Sequence, residues 1–150
     1  FDAAAQYFRQ VIEDKPDDVD ASLGLARLAF LVGEMKVAAG WLERIHHEHD
    51  GRDRLRGLFA LEEFSGDEST LRAALEANSG DVESWYSLGA TLFLKRDFAG
   101  SIEAFLRTVA LDRDYLDDGG RLRLLGLFEL LGAEEPQAIQ GRRRLAGLLF

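Results

Sequence analysis

Apolar side chains recur at three- and four-residue spacings along almost the whole chain, and little interrupts them: 150 residues contain two prolines. That spacing is the period of a helix that buries one face. Strands favour β-branched residues, and these are sparse here. The pattern predicts helices over about residues 2–14, 18–32, 35–48, 53–64, 67–77, 81–94, 97–111, 117–131 and 135–149. Asp67 and Asp81 stand where helices need a side chain to accept from their free N–H groups. Gly33 and Gly132 stand where helices stop, and Pro136 suits a first turn.

The helices also repeat. DVDASLGLARLAFLVGEMKVAAGWL aligns with DVESWYSLGATLFLKRDFAGSIEAF, pairing Leu25 with Leu88, Ala26 with Gly89, Met35 with Phe98, Ala38 with Ser101 and Leu42 with Phe105. Trp85, Leu88, Gly89, Leu92, Ser101 and Phe105 together resemble the tetratricopeptide repeat. In that motif large residues of the first helix fill the hairpin groove, a small residue lets the helices approach, and the second helix's aromatic plugs the space below. Upstream, Phe1, Ala4, Phe8 and Pro16 fit the second helix of an earlier repeat, Phe1 lying 34 positions before Met35. Met35 and Phe98 stand 63 apart, five short of two such periods, so the hairpin between them must be shortened, with its turn at Ser65–Gly66.

The expectation is an all-α, right-handed solenoid of tetratricopeptide-like hairpins with a C-terminal capping helix pair. It comprises a half repeat at 1–16, a repeat at 17–50, a shortened repeat at 51–79, a repeat at 80–114 and capping helices at 115–150. A chain opening on Phe1, half-way through a repeat and without the basic start and apolar middle of a signal peptide, reads as an excised piece.

Charge narrows the possible partners. The net charge is −9, which argues against nucleic acid, since phosphate binding is carried by clustered Lys and Arg. The distribution is uneven: residues 1–118 hold 13 basic and 24 acidic side chains, whereas 119–150 hold 5 and 3. The basic end suits an acidic surface, its own or a partner's. No apolar run approaches the ~20 residues that span a bilayer, so no membrane segment is expected. With no cysteine, thiol chemistry and thiolate metal sites are excluded.

Few residues suggest chemistry. His46, His49 and Asp50, in HHEHD, have the i+3 and i+4 spacing of metal ligands on one helix face. The competing reading places them at a helix C-terminus before Gly51, where the dipole favours histidine, and a zinc site would need further ordered ligands. Asp17–Asp18, Glu62–Glu63 and Asp117–Asp118 are neighbours whose side chains diverge by about 100° on a helix, which suits caps and solvated faces better than a catalytic pair. Phosphate-binding glycine motifs are absent. We expect no enzyme activity, cofactor or metal.

Tetratricopeptide arrays bind peptides and protein surfaces on the face lined by the first helix of each hairpin. Leu23, Arg27, Tyr86 and Ala90 fall on that face, and Phe30 and Phe93 fall either there or in the core. The family's carboxylate-clamp subclass requires Lys and Asn where this chain has Leu23 and Arg27, or Tyr86 and Ala90, so that subclass is not indicated.

Beyond the repeats, the chain resembles the C-terminal end of the thioredoxin-like chaperedoxins, bacterial proteins that join a thioredoxin fold to tetratricopeptide repeats. The resemblance rests on Arg113-Asp114-Tyr115, Asp117-Asp118, Arg121, Leu127-Phe128-Glu129, Leu131-Gly132, Pro136, Arg142-Arg143-Arg144-Leu145-Ala146 and Leu148-Leu149-Phe150. Gly141 departs from it, standing where the family commonly has an aromatic residue. Gly141 and Gly147 should each weaken the final helix by about 1 kcal/mol relative to Ala. The resemblance implies a cytoplasmic stress-response holdase that takes unfolded clients and hands them to other chaperones, including the chaperonin, with its thioredoxin domain upstream of this segment. On the last helix, Leu145 and Leu149 suit an inward face. Arg142, Arg143, Arg144, Leu148 and Phe150 combine cations with apolar anchors, the composition of binding hot spots. Arg27 and Tyr86 complete the expected partner-binding set. The alternative is a generic tetratricopeptide scaffold, for secretion or envelope assembly, in which the tail only caps.

Overall fold

A computed structural model describes residues 2–150; Phe1, assigned above to the opening half repeat, lies outside them. The described residues form nine α-helices and one 3₁₀ turn, with no strand. The helices are α1 (Asp2–Asp14), α2 (Val19–Leu31), α3 (Met35–Glu43), α4 (Asp50–Phe59), α5 (Glu68–Ala77), α6 (Val82–Leu94), α7 (Phe98–Leu111), α8 (Gly119–Leu131) and α9 (Pro136–Leu149), with the 3₁₀ turn at Leu61–Phe64. The chain divides into two compact units, residues 1–56 and 57–150, the division falling inside α4.

Aspartates start the helices. Asp18, Asp67, Asp81 and Asp97 each accept from a backbone N–H three residues on, at Ala21, Thr70, Ser84 and Gly100. The repeat is equally visible in how two helices stop. At the end of α2, Gly33 is left-handed (φ 88°), with Glu34 N donating to Ala29 O at 2.8 Å and Gly33 N to Phe30 O at 2.9 Å. At the end of α6, Arg96 takes the same role (φ 64°), with Asp97 N donating to Leu92 O and Arg96 N to Phe93 O, both at 2.9 Å. This is the Schellman arrangement, built once on glycine and once on a residue that pays for its Cβ.

In the first unit α2 packs on both α1 and α3. Gly24 permits the α1 contact, because a Cβ there would lie 2.4 Å from the Phe8 ring. Ala26, Ala38 and Leu42 are fully buried beside it.

In the second unit α6 and α7 form the central hairpin; α5 and the 3₁₀ turn pack on α6, α8 on α7, and α9 on both α7 and α8. The expected aromatic plug is present. A Cβ at Gly89 would lie 2.9 Å from Phe105, and the buried Ser101 hydroxyl donates to Gly89 O at 2.8 Å. The small residue thus brings the helices together, and the hydroxyl occupies a carbonyl that the close approach cuts off from water. The residues joining the 3₁₀ turn to α5 are tied to α6: Gly66 N donates to the Thr91 hydroxyl at 2.9 Å. Before α8, Leu116, Asp117 and Asp118 are all left-handed (φ 50°, 53° and 66°).

Candidate protein-interaction surface

The final helix is seated by small and apolar residues on one face. Ala138, Gly141 and Leu145 are buried. A Cβ on Gly141 would stand 2.5 Å from Phe128 of α8 and 3.4 Å from Ile102 of α7. Gly141 is therefore more than a weak point: its missing side chain lets α9 lie directly on two neighbouring helices. Gly147, with nothing within 4 Å of a built Cβ, has no such purpose.

The three arginines have different environments. Arg144 forms a bidentate ion pair with Glu103 of α7, the Nη2–Oε1 bond measuring 3.1 Å, and Arg107 reaches the same carboxylate at 3.4 Å. The Arg144 hydrogen bonds, followed by partial desolvation in the opposite sense and the nearby guanidinium charges, leave the Glu103 carboxyl below its ordinary value of 4.5. The Arg142 guanidinium lies over the Phe128 ring, 5.2 Å from its centroid. Arg143 is exposed and joins neither contact. Leu148 is 39% exposed and Phe150 fully so, whereas Leu149 is half-buried. Beside Leu149 and Phe150 opens a cleft of about 540 Å³ lined by Arg113, Asp114, Asp118 and Arg121, all residues of the distinctive tail pattern. Arg121 donates to Asp118 there at 2.6 Å.

The first-helix residues are placed differently from expectation. Arg27 is half-buried on α2. Tyr86 is 3% exposed, its ring edge-on to Phe64, Phe105 and Tyr115 at 5.3, 5.2 and 5.7 Å, and burial pushes its hydroxyl above the ordinary value of 10.0. Tyr86 is thus a core residue, and the expectation that it meets a partner is corrected: counting along the repeat could not reveal that Phe64 and Tyr115, from its two flanking segments, close over it. Leu23, Phe30, Ala90 and Phe93 are buried as well.

The histidine cluster is not on a helix face. Residues 44–49 lie between α3 and α4, and His49 Nδ1 accepts from Gly51 N and Arg52 N at 3.1 and 3.4 Å. His49 therefore caps the start of α4 rather than ending α3, and the i+3 argument for metal ligation loses its helix. Among the described residues no group of three or more His, Cys, Asp or Glu side chains could hold a metal ion. Of the acidic pairs, Asp18 is a cap and Asp118 pairs with Arg121. Among the described residues no helix is long and apolar enough to cross a membrane.

What sequence reasoning missed is the strip formed by Trp85, Arg107, Glu103 and Arg144. The Arg107 guanidinium lies 5.8 Å from the centre of the Trp85 ring, which joins α6 to α7, and Glu103 joins α7 to α9. In the sequence, only the i,i+4 spacing of Glu103 and Arg107 points to it.

Two sequence families, both described as tetratricopeptide repeat, match the chain, one over residues 1–61 and the other over residues 62–150. No curated protein and no solved structure matches it.

Proposed function

The chain belongs to the tetratricopeptide repeat family, and from that premise we propose that it is the non-enzymatic interaction domain of a thioredoxin-like holdase that engages unfolded clients and the chaperonin. Repeats of this family are protein-interaction modules, which supports the coarse part of the reading. The observation that carries the finer part is the division of labour on α9. Gly141 and Leu145 seat the helix, leaving Arg143 and Phe150 exposed as a cation and an apolar anchor. Interfaces draw their energy from such mixtures once a partner excludes water from them. The resemblance of this same segment to the chaperedoxin tail supports the chaperonin as partner.

The experiment is a pull-down of purified bacterial chaperonin by the chain and by an Arg143→Glu, Phe150→Ser variant, which spares the seated face and Leu148. Loss of capture with unchanged helical circular dichroism is the expected result. Undiminished capture overturns the tail assignment and favours a scaffold in which α9 only caps.

A further inference from the structure

Three depressions follow one another across α5, α6, α7 and α9. The first, about 270 Å³, is lined by Leu75, Leu88 and Trp85, with Arg72 and Glu76 beside them. The Trp85 ring meets Arg107, and Arg107 borders the second, about 320 Å³, floored by Leu106, Ala110 and Leu148. Arg144 lines the second and also the third, about 180 Å³, where Ile102 and Gly141 meet Gln137 and Gln140. Each depression has apolar lining, and two side-chain pairs, Trp85–Arg107 and Glu103–Arg144, connect one to the next.

The charge at the middle of this track is unbalanced. Glu103 is one carboxylate serving two guanidiniums, and Arg107 and Arg144 keep side-chain exposures of 59% and 54%. Each guanidinium carries five N–H donors, more than one shared carboxylate occupies, so both retain capacity to meet another acceptor. This surplus of positive charge sits beside apolar floors in a chain of net charge −9.

We propose that the track from Trp85 to Arg144 binds an extended acidic peptide, its apolar side chains entering successive depressions and its carboxylates pairing with Arg107 and Arg144. Apolar and acidic residues taking turns at every second position suit it, because an extended chain turns successive side chains to opposite sides and only every second one faces the track. The spaced arginines would then meet charge where the apolar linings meet hydrocarbon. This rests on the reading of the chain as a protein-interaction module, but at a surface whose test residues, Arg107 and Ala110, lie outside α9.

The test uses the two tryptophans, Trp41 and Trp85. In a Trp41→Phe background Trp85 is the single indole, and it borders the track. The probe is a capped peptide of about nine residues in which leucine and aspartate take turns at every second position with serine between them, roughly 30 Å when extended. A leucine–lysine peptide and a serine–aspartate peptide are the controls. The expected result is a saturable change in Trp85 fluorescence with the leucine–aspartate peptide alone. Arg107→Glu should weaken it at least about tenfold, and Ala110→Phe, which fills the middle depression from an exposed position, should do the same with circular dichroism unchanged. An equal response to the leucine–lysine peptide, no saturable response, or indifference to Ala110→Phe overturns the proposal. None of these outcomes bears on chaperonin capture, and loss of capture in the tail variant leaves the peptide response to be judged by itself.

Discussion

Gly141 and Gly147 lie on one helix, six residues apart, and the same substitution should act on them with opposite signs. Gly→Ala in a helix interior gains up to about 1 kcal/mol from propensity. At Gly147 nothing opposes that gain, since no atom lies within 4 Å of the new Cβ; its place in the last turn reduces the benefit to about 0.5 kcal/mol. At Gly141 the new Cβ would stand 2.5 and 2.9 Å from two atoms of the Phe128 ring. Carbon contacts are comfortable at about 3.5–4.0 Å, so roughly 1 Å of overlap must be relieved. Phe128 is 1% exposed and has nowhere to go, so α9 itself must lift. Overpacking of this kind costs about 1–3 kcal/mol, which exceeds the propensity gain. Set against the propensity gain, Gly141→Ala should therefore destabilise on balance by up to about 2 kcal/mol, lowering the melting temperature by up to roughly 8 °C for a chain of this size. Urea titration followed by Trp85 fluorescence in the Trp41→Phe background reports on the unit concerned. If Gly141→Ala raises the urea midpoint as Gly147→Ala does, α9 is not seated on Phe128.

The two Schellman stops offer a reciprocal check. Arg96→Gly removes a strained left-handed residue but also a contact with the Phe98 ring, for a net gain of about 0.5 kcal/mol; Gly33→Arg should lose about 1 kcal/mol, the space around its Cβ being empty, so that the cost is backbone alone. Opposite shifts in thermal melts confirm the pairing, and a loss from both contradicts it. Asp67, bonded by the Ser69 hydroxyl and by the Thr70 N–H and hydroxyl, has its carboxyl pulled from 3.8 down to about 2. A depressed carboxyl contributes its stability above its unfolded value and loses it as pH falls through the folded one. Melting temperature should thus fall between about pH 4 and pH 2, and Asp67→Ala should begin lower at neutral pH and fall less across that window.

The parts of this fold written in local spacing were legible. Amphipathic periodicity located the helices, and aspartate caps at Asp67 and Asp81 marked starts that the structure places one residue later, at Glu68 and Val82. The exceptions have physical causes. Histidine is not among the favoured N-cap residues, so the start of α4 at His49 carried no recognisable signal and α3 seemed to run on towards it. A 3₁₀ turn keeps a helix-like pattern, so Leu61–Phe64 read as a continuation of α4. The candidate site was legible only in part, because its environment is tertiary. Glu103 and Arg144 stand 41 positions apart, and no sequence period connects them.

That tertiary pairing determines what the three arginines can do. Taken as a string, Arg142, Arg143 and Arg144 are equivalent, a basic cluster awaiting an acidic partner. Helical geometry makes them unequal, since consecutive residues diverge by about 100° and cannot all face one surface. With Gly141 and Leu145 fixed inward, Arg142 turns to Phe128 and Arg144 to Glu103, and Arg143 is left to solvent. Exposed ion pairs contribute only about 0.2–1 kcal/mol, so the Arg144–Glu103 contact is not the main anchor of α9; burial of Leu145 and the close fit at Gly141 are. A pairing that stabilises so little is one that a partner carboxylate can displace at small cost. Arg144 can therefore pair with Glu103 in the free chain and still be available to a ligand, whereas Arg143 is left to solvent.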